Sequence, residues 1–197
     1  MEAIATKTVR MDEVTGQCAA KRAAEVACAG KHSLTIIAID GEESAATLAR
    51  WAQEHGARAY TIVPCECGHY GSYHHPCECK GPDDAWDNAD PLRADLVVVA
   101  MPEPVTEMLS RHSPEPDEAI AARITAARQR KQASGLTAEA RILLERAGSR
   151  FGLTSGQLAQ IIAVATTIAT LDSAPYVGAQ HVAEAVQYRR GRNYYAQ

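Results

Sequence analysis

Two Cys-x-Cys pairs, Cys65-Glu66-Cys67 and Cys77-Glu78-Cys79, stand nine residues apart in the stretch 64–79, with Gly68, Gly71 and Pro76 among the residues between. Four thiolates carried on two short turns make a tetrahedral nest for a soft divalent ion, zinc above all. The glycines and the proline permit the bends that bring the pairs together. Cys-x-Cys is a tighter bite than the Cys-x-x-Cys of most zinc knuckles, and His69, His74 and His75 can each replace a thiolate, so several ligand sets compete. Disulfides and unligated thiols compete as well. Met1 to Arg10 holds no apolar run and is followed by Asp12 and Glu13, unlike a secretory leader. A cytoplasmic setting is therefore expected, and there clustered cysteines bind metal more often than they pair. The expected zinc is structural, since four protein ligands leave no open position for a reacting water.

Around this loop the pattern reads as α/β followed by α. Residues 1–11 read as an arm. Val14, Cys18, Ala19, Ala23, Val26 and Ala27 recur at helical spacing and predict a helix from Asp12 to Ala29, capped at Gly30, with Cys18 and Cys28 as small buried side chains. Leu34 to Ile39 is a β-branched run of the kind that forms a buried parallel strand. A helix from Ser44 to about His55 and a second strand over Ala59–Val63 complete a βαβ unit that leads into the cysteine loop 64–80. Asp83 to Asp90 is an acidic turn lacking the glycine and glutamate of a calcium loop. Asp95–Ala100 is a third strand.

Ser113-Pro114-Glu115-Pro116-Asp117 reads as a linker, because two prolines cannot sit inside a helix. It divides an α/β part, 1–113, from a helical part, 114–197. Helices are predicted over 119–132, over 137–149 behind a Thr137 cap, over 154–171 as the apolar centre of the bundle, and over 178–190. Up to Asp117 there are ten Lys/Arg against nineteen Asp/Glu, and beyond it ten against five, so the net charge of -4 hides parts of opposite sign. A basic face for nucleic acid, or two parts that attract each other, would follow. No apolar run reaches the roughly 18–20 residues of a membrane span, and no membrane partner is expected.

Several short motifs combine into a family resemblance. They are Gly16-Gln17 with Lys21-Arg22-Ala23 and Glu25; Pro64-Cys65-x-Cys67-Gly68-His69-Tyr70-Gly71 with Cys77-x-Cys79; Glu139-Ala140-Arg141 with Leu144-Glu145-Arg146-Ala147; Thr167-Ile168-Ala169 with Leu171; and His181 to Arg189. Together they reach from about residue 12 to 190. The chain resembles a shortened Mg-chelatase-like AAA+ protein, nearest the competence-associated ComM-type proteins, regarded as DNA branch-migration motors. The resemblance implies a reduced P-loop-like α/β remnant of about three parallel strands with a four-helix AAA+ lid.

What departs from the family decides the expected function. Its first strand runs into a P-loop whose backbone amides and lysine hold phosphate. Here that loop reads Asp40-Gly41-Glu42-Glu43-Ser44-Ala45: Ser44 stands at the lysine position, Ala45 replaces the magnesium-binding hydroxyl, and Glu42 and Glu43 bring negative charge to the triphosphate position. Most of the stretch carrying the acidic metal-holding motif is missing. Gly156 stands at the nucleotide-sensing arginine, and Gln160 and Thr166 at positions that are usually basic. Arg93 matches the family's subunit-bridging arginine, with Leu92 in place of the acidic residue before it, and stands equally as an ordinary surface arginine. Phosphoryl transfer needs the parts lost here, so neither ATP binding nor an ATPase is expected.

Two functions remain. The first is an ATPase-inactive remnant that binds or regulates, docking on an intact AAA+ motor. The second is a small zinc-stabilised DNA-binding module using the basic helical half, with Arg123, Arg128, Arg130 and Lys131, then Arg141, Arg146, Arg150 and the tail Arg189-Arg190-x-Arg192-Asn193-Tyr194-Tyr195. No nucleophile–base constellation points to another enzyme class, since the histidines cluster by the cysteines or stand apart.

Overall fold

The β-branched run forms the central strand β1 (Ser33–Ala38), flanked by β2 (Arg58–Ile62) and β3 (Leu96–Ala100) in the order β2-β1-β3, all parallel. A computed structural model describes residues 9–79, 93–102 and 115–190. The acidic turn 83–90, Leu92, residues 113–114 of the linker and the tail 191–197 lie outside the described residues. Leu34 faces Ala59 on one side and Leu96 on the other, and Ile36 faces Thr61 and Val98. Both faces of β1 are buried, which is why its sequence does not alternate. Leu34, Ile36 and Ala38 point into the main hydrophobic cluster, while Ile37 and Ile39 join Ala94 and Val97 in a smaller one.

The crossover between β1 and β2 is α2 (Ser44–Glu54), which buries Leu48, Trp51 and Ala52. Helix α1 (Cys18–Gly30) lies against α2, β1 and β3 on one side and against the later helices on the other. It begins later than the periodicity predicts. Met11–Glu13 is a 3-10 turn, and Gly16 and Gln17 both adopt left-handed backbone, which no α-helix can continue through. At its other end Lys31, rather than Gly30, takes the left-handed cap conformation. Ala20, Ala23, Ala24 and Ala27 are all buried, so the stubby flanks of α1 let helices approach it from several directions. Cys28 is buried as expected; Cys18, at the solvent-facing start of the helix, is exposed, contrary to the expectation.

The chain continues as α3 (Asp117–Gln129), α4 (Ala138–Phe151), α5 (Ser155–Leu171) and α6 (Ala179–Arg190). Helix α5 buries Ile161, Val164, Ala165 and Ile168 and packs against α6, α1 and α3, the central place its composition predicts. The main cluster is continuous from Val9 to Tyr188, passing through α1. No helix among the described residues is long and apolar enough to cross a membrane.

Caps account for the sharp starts of α4 and α5. Thr137 accepts from the Ala140 N–H. Thr154 forms a capping box, accepting from Gln157 N at 3.3 Å while the Gln157 side chain accepts from Thr154 N at 2.8 Å. Thr154→Ala should destabilise the protein by about 1 kcal/mol. In a chain of this size that lowers the thermal midpoint by roughly 2–4 °C. Circular dichroism melting of this variant beside Thr154→Ser checks the cap, since serine retains the acceptor and should melt with the parent; equal melting of all three would remove it.

Candidate metal centre

Beyond β2 the chain folds the cysteine stretch through two glycine turns. Gly68 and Gly71 sit at φ 77° and 86°, where a side chain is strained. Gly68 N–H donates to Cys65 O at 3.0 Å and Ser72 N–H to His69 O at 2.9 Å, closing successive turns. These bends bring the four predicted cysteines together. Their sulfurs lie 3.4 Å (Cys65–Cys67), 3.8 Å (Cys65–Cys77), 3.6 Å (Cys67–Cys77), 3.4 Å (Cys67–Cys79) and 3.3 Å (Cys77–Cys79) apart. A tetrahedron with Zn–S bonds of about 2.3 Å has S–S edges of about 3.8 Å, so small displacements suffice to seat an ion. These separations are far beyond the roughly 2.05 Å of a disulfide. The cluster fits a metal ion.

The backbone supports that chemistry. Tyr70 N–H donates to the Cys65 sulfur at 3.4 Å, an outer contact of the sort that holds a thiolate ligand in place. The His69 N–H, against the opposing effect of burial, draws the Cys67 thiol down to about 5. Hydrogen bonding with Cys79, aided by burial, pushes Cys77 up to about 12, and burial also raises Cys65. These bonds favour a thiolate within the nest, and a bound cation would supply the charge that further thiolates need.

None of the three histidines joins the thiolates as the fold stands. His69 and His75 turn instead to Asp40, 2.7 Å and 3.5 Å from its Oδ1 through their Nδ1 atoms, while Ser72 Oγ donates to Oδ2 at 2.6 Å. Asp40 N–H also donates to Gly68 O at 3.0 Å. His74 is exposed, its N–H donating to Ser72 Oγ at 2.9 Å. Burial would raise the Asp40 carboxyl, but the bonds from Ser72, His69 and His75 outweigh it and hold it below the ordinary range. Asp40 was not singled out as a site residue because it lies far from the histidines in sequence.

Asp40 is also the first residue of the loop 40–45, which the resemblance sets against a P-loop. Asp40 and Gly41 both have left-handed backbone, and the next residue, Glu42, turns its carboxylate onto the start of α2. Glu42 Oε1 accepts from Ser44 N at 3.1 Å and from Ser44 Oγ. Ala45 is fully buried. The adjoining cavity of about 430 Å³ is lined by Glu13, Gln17, Glu42, Glu43, Ser44 and Thr47, among others. Helix N-termini attract anions, and here an internal carboxylate already occupies that end.

The basic residues fall in several environments. Arg93 is exposed. Arg123 reaches inward to buried Glu25, which also binds Arg22, and pairs with Glu115 at 2.5 Å. Arg128 donates to Cys28 O and His55 O, both at 2.6 Å, and so caps α1 and α2 together. Arg130 donates to Thr170 O at 3.4 Å, and Lys131 is exposed. In α5, Gly156 is exposed, and Gln160 accepts from Arg189, which also donates to Ala94 O at 2.7 Å. Glu25 as a buried hub could not be read from the sequence, since helical periodicity alone places a glutamate on the surface.

Residues 122–189 match the family model described as magnesium chelatase, subunit ChlI C-terminal. The match spans most of α3 through nearly all of α6, so the chain carries a magnesium-chelatase-like helical segment, as the resemblance implies. The cysteine loop and the three strands lie outside it. No curated protein matches the chain.

Proposed function

We propose that this chain is an ATPase-inactive Mg-chelatase-like protein of the ComM type that binds or regulates rather than catalyses, docking on an intact AAA+ motor. In this reading residues 1–113 are the reduced α/β part, held by a structural zinc on Cys65, Cys67, Cys77 and Cys79, and 114–197 the lid. The observation that carries it is the Glu42 carboxylate on the N-terminus of α2. A phosphate at that position would meet Glu42 itself, with Glu13 and Glu43 lining the same cavity. Like charges at close range in a partly desolvated cavity repel by several-fold more than in water.

The chelatase-like segment supports a relation to AAA+ assemblies, and exposed Arg93 is the residue proposed to face a neighbouring subunit. A zinc-stabilised DNA module is the alternative. The ion pairs and carbonyl contacts of Arg123, Arg128 and Arg130 favour the first reading, because those guanidinium groups serve internal contacts.

Titration calorimetry with Mg-ATP should give no saturable heat at millimolar nucleotide. A micromolar isotherm abolished by Gly41→Ala or Ser44→Ala would overturn the inactive-loop reading. Affinity capture of the tagged protein from lysate of its source, with and without nuclease, then separates the two functions. A AAA+ ATPase recovered in both samples, in a salt-tolerant complex weakened by Arg93→Ala, supports docking. DNA-associated proteins recovered only without nuclease, with binding that falls steeply as salt rises, support the DNA module instead.

A further inference from the structure

The cysteine loop is symmetric in sequence about Ser72: Cys65 mirrors Cys79, Cys67 mirrors Cys77, and His69 mirrors His75. The fold turns that symmetry into two tiers. The four sulfurs gather in one, and the paired imidazoles meet Asp40 in the other. We propose that Asp40, His69 and His75 form a second divalent-metal site, separate from the thiolate nest and open to solvent.

Geometry carries this assignment. Both histidines present the same atom, Nδ1, to a single carboxylate oxygen, at 2.7 Å and 3.5 Å. Their rings lie 4.9 Å apart between centroids, tilted by 38°. The three ligand atoms all fall within 4.8 Å of one another. Bonds of about 2.0–2.1 Å to an ion at tetrahedral angles need ligand separations of about 3.3 Å, which the observed spacing brackets. Only 4% of the Asp40 side chain is exposed, and Ser72 Oγ fixes its other oxygen at 2.6 Å. A buried carboxylate oriented by a hydroxyl is how proteins hold a metal-binding oxygen in place. Ser72 also accepts the N–H groups of His74 and His75, so one residue orients both the aspartate and the bend carrying His75.

Chemistry separates the two sites. Two imidazoles and a carboxylate suit zinc, nickel or cobalt, whereas four thiolates select zinc over harder ions. Three protein ligands leave a coordination position free, as in sites where a metal binds water or an exchangeable anion. The site reaches solvent on its His75 side, where the side chain is 60% exposed. The second site depends on neither the docking nor the DNA reading.

Cobalt(II) titration of metal-stripped, reduced full-length protein tests the proposal, with bound metal counted by mass spectrometry. Two equivalents are expected. The first brings thiolate-to-cobalt charge-transfer absorption in the near ultraviolet, and the second adds visible bands without it. His75→Ala, at an exposed position, should keep the charge-transfer band and weaken the second event by more than the roughly 10–100-fold that loss of an outer-shell partner produces. Ser72→Ala should fall within that range. Saturation at one equivalent, or a second event of unchanged affinity in His75→Ala, would overturn the assignment.

Discussion

Chelation of metal from the reduced, zinc-loaded protein will raise the number of fast-reacting thiols from one to five. Cys18 is exposed and reacts in either state, whereas Cys28 is buried, its thiol pushed up to about 12 by that burial, and reacts in neither. The four nest cysteines account for the difference. The loop has little apolar packing of its own: Val63 is 52% exposed and Tyr73 78%, and Cys65 is the nest cysteine that is buried. Ordering it would fall to the proposed zinc, and a structural zinc contributes about 10–16 kcal/mol of apparent binding free energy at neutral pH. Stripping releases the loop, so its four thiols then react as exposed Cys18 does. Metal must displace thiol protons, so affinity falls as the solution is acidified. Helical circular dichroism will change little, since the loop lies outside the main cluster apart from its join to β2. Five fast thiols before any chelator is added would refute a metal-held loop.

Trp51→Ala will be the most damaging single change in the interior. Trp51 is fully buried, stacks on His55 with centroids 4.0 Å apart, and donates through Nε1 to Asp117 Oδ1 at 2.7 Å. The same oxygen accepts from Met11 N at 2.9 Å. One carboxylate thus joins the chain before α1, helix α2 and the first residue of α3. Truncating a buried tryptophan removes about 3–5 kcal/mol. That corresponds to a fall of roughly 6–20 °C in thermal midpoint for a chain of this length. Asp117→Ala strands two buried donors at about 1–3 kcal/mol each. Because the residues share a bond, the double variant should fall short of the sum of the singles. A midpoint for Trp51→Ala within 2 °C of the parent (about 0.5–1 kcal/mol for a chain this long) would show that the contact carries little.

The strands and most helices were legible because their signals are local. A β-branched run buried on both faces, Thr137 and Thr154 ahead of apolar periodicity, and a helix as apolar as 155–171 each declare themselves within a dozen residues. The start of α1 was not: Gln17 takes left-handed backbone, and its side chain bonds to Met101 O at 2.7 Å, a contact 84 residues away that no local pattern announces. The nest cysteines were legible by spacing alone. The role of His69 and His75 was half legible: their mirror placement about Ser72 was there to be read, but the partner that settles where they point, Asp40, arrives from the end of β1. Arg123 is a further case: charge counting marks it as available for a polyanion, and the fold adds the buried Glu25 beside it.

The Glu42 contact has an evolutionary consequence. A carboxylate tethered two residues from the amide it binds is present there at a local concentration that free ligands reach only when linked by a similarly short tether. An external phosphate must compete with that internal ligand at every encounter. On the proposed reading, a lysine placed at Ser44 would leave the loop closed to nucleotide until Glu42 was removed as well. On that inactive-loop reading, loss of nucleotide binding at such a loop would work as a ratchet.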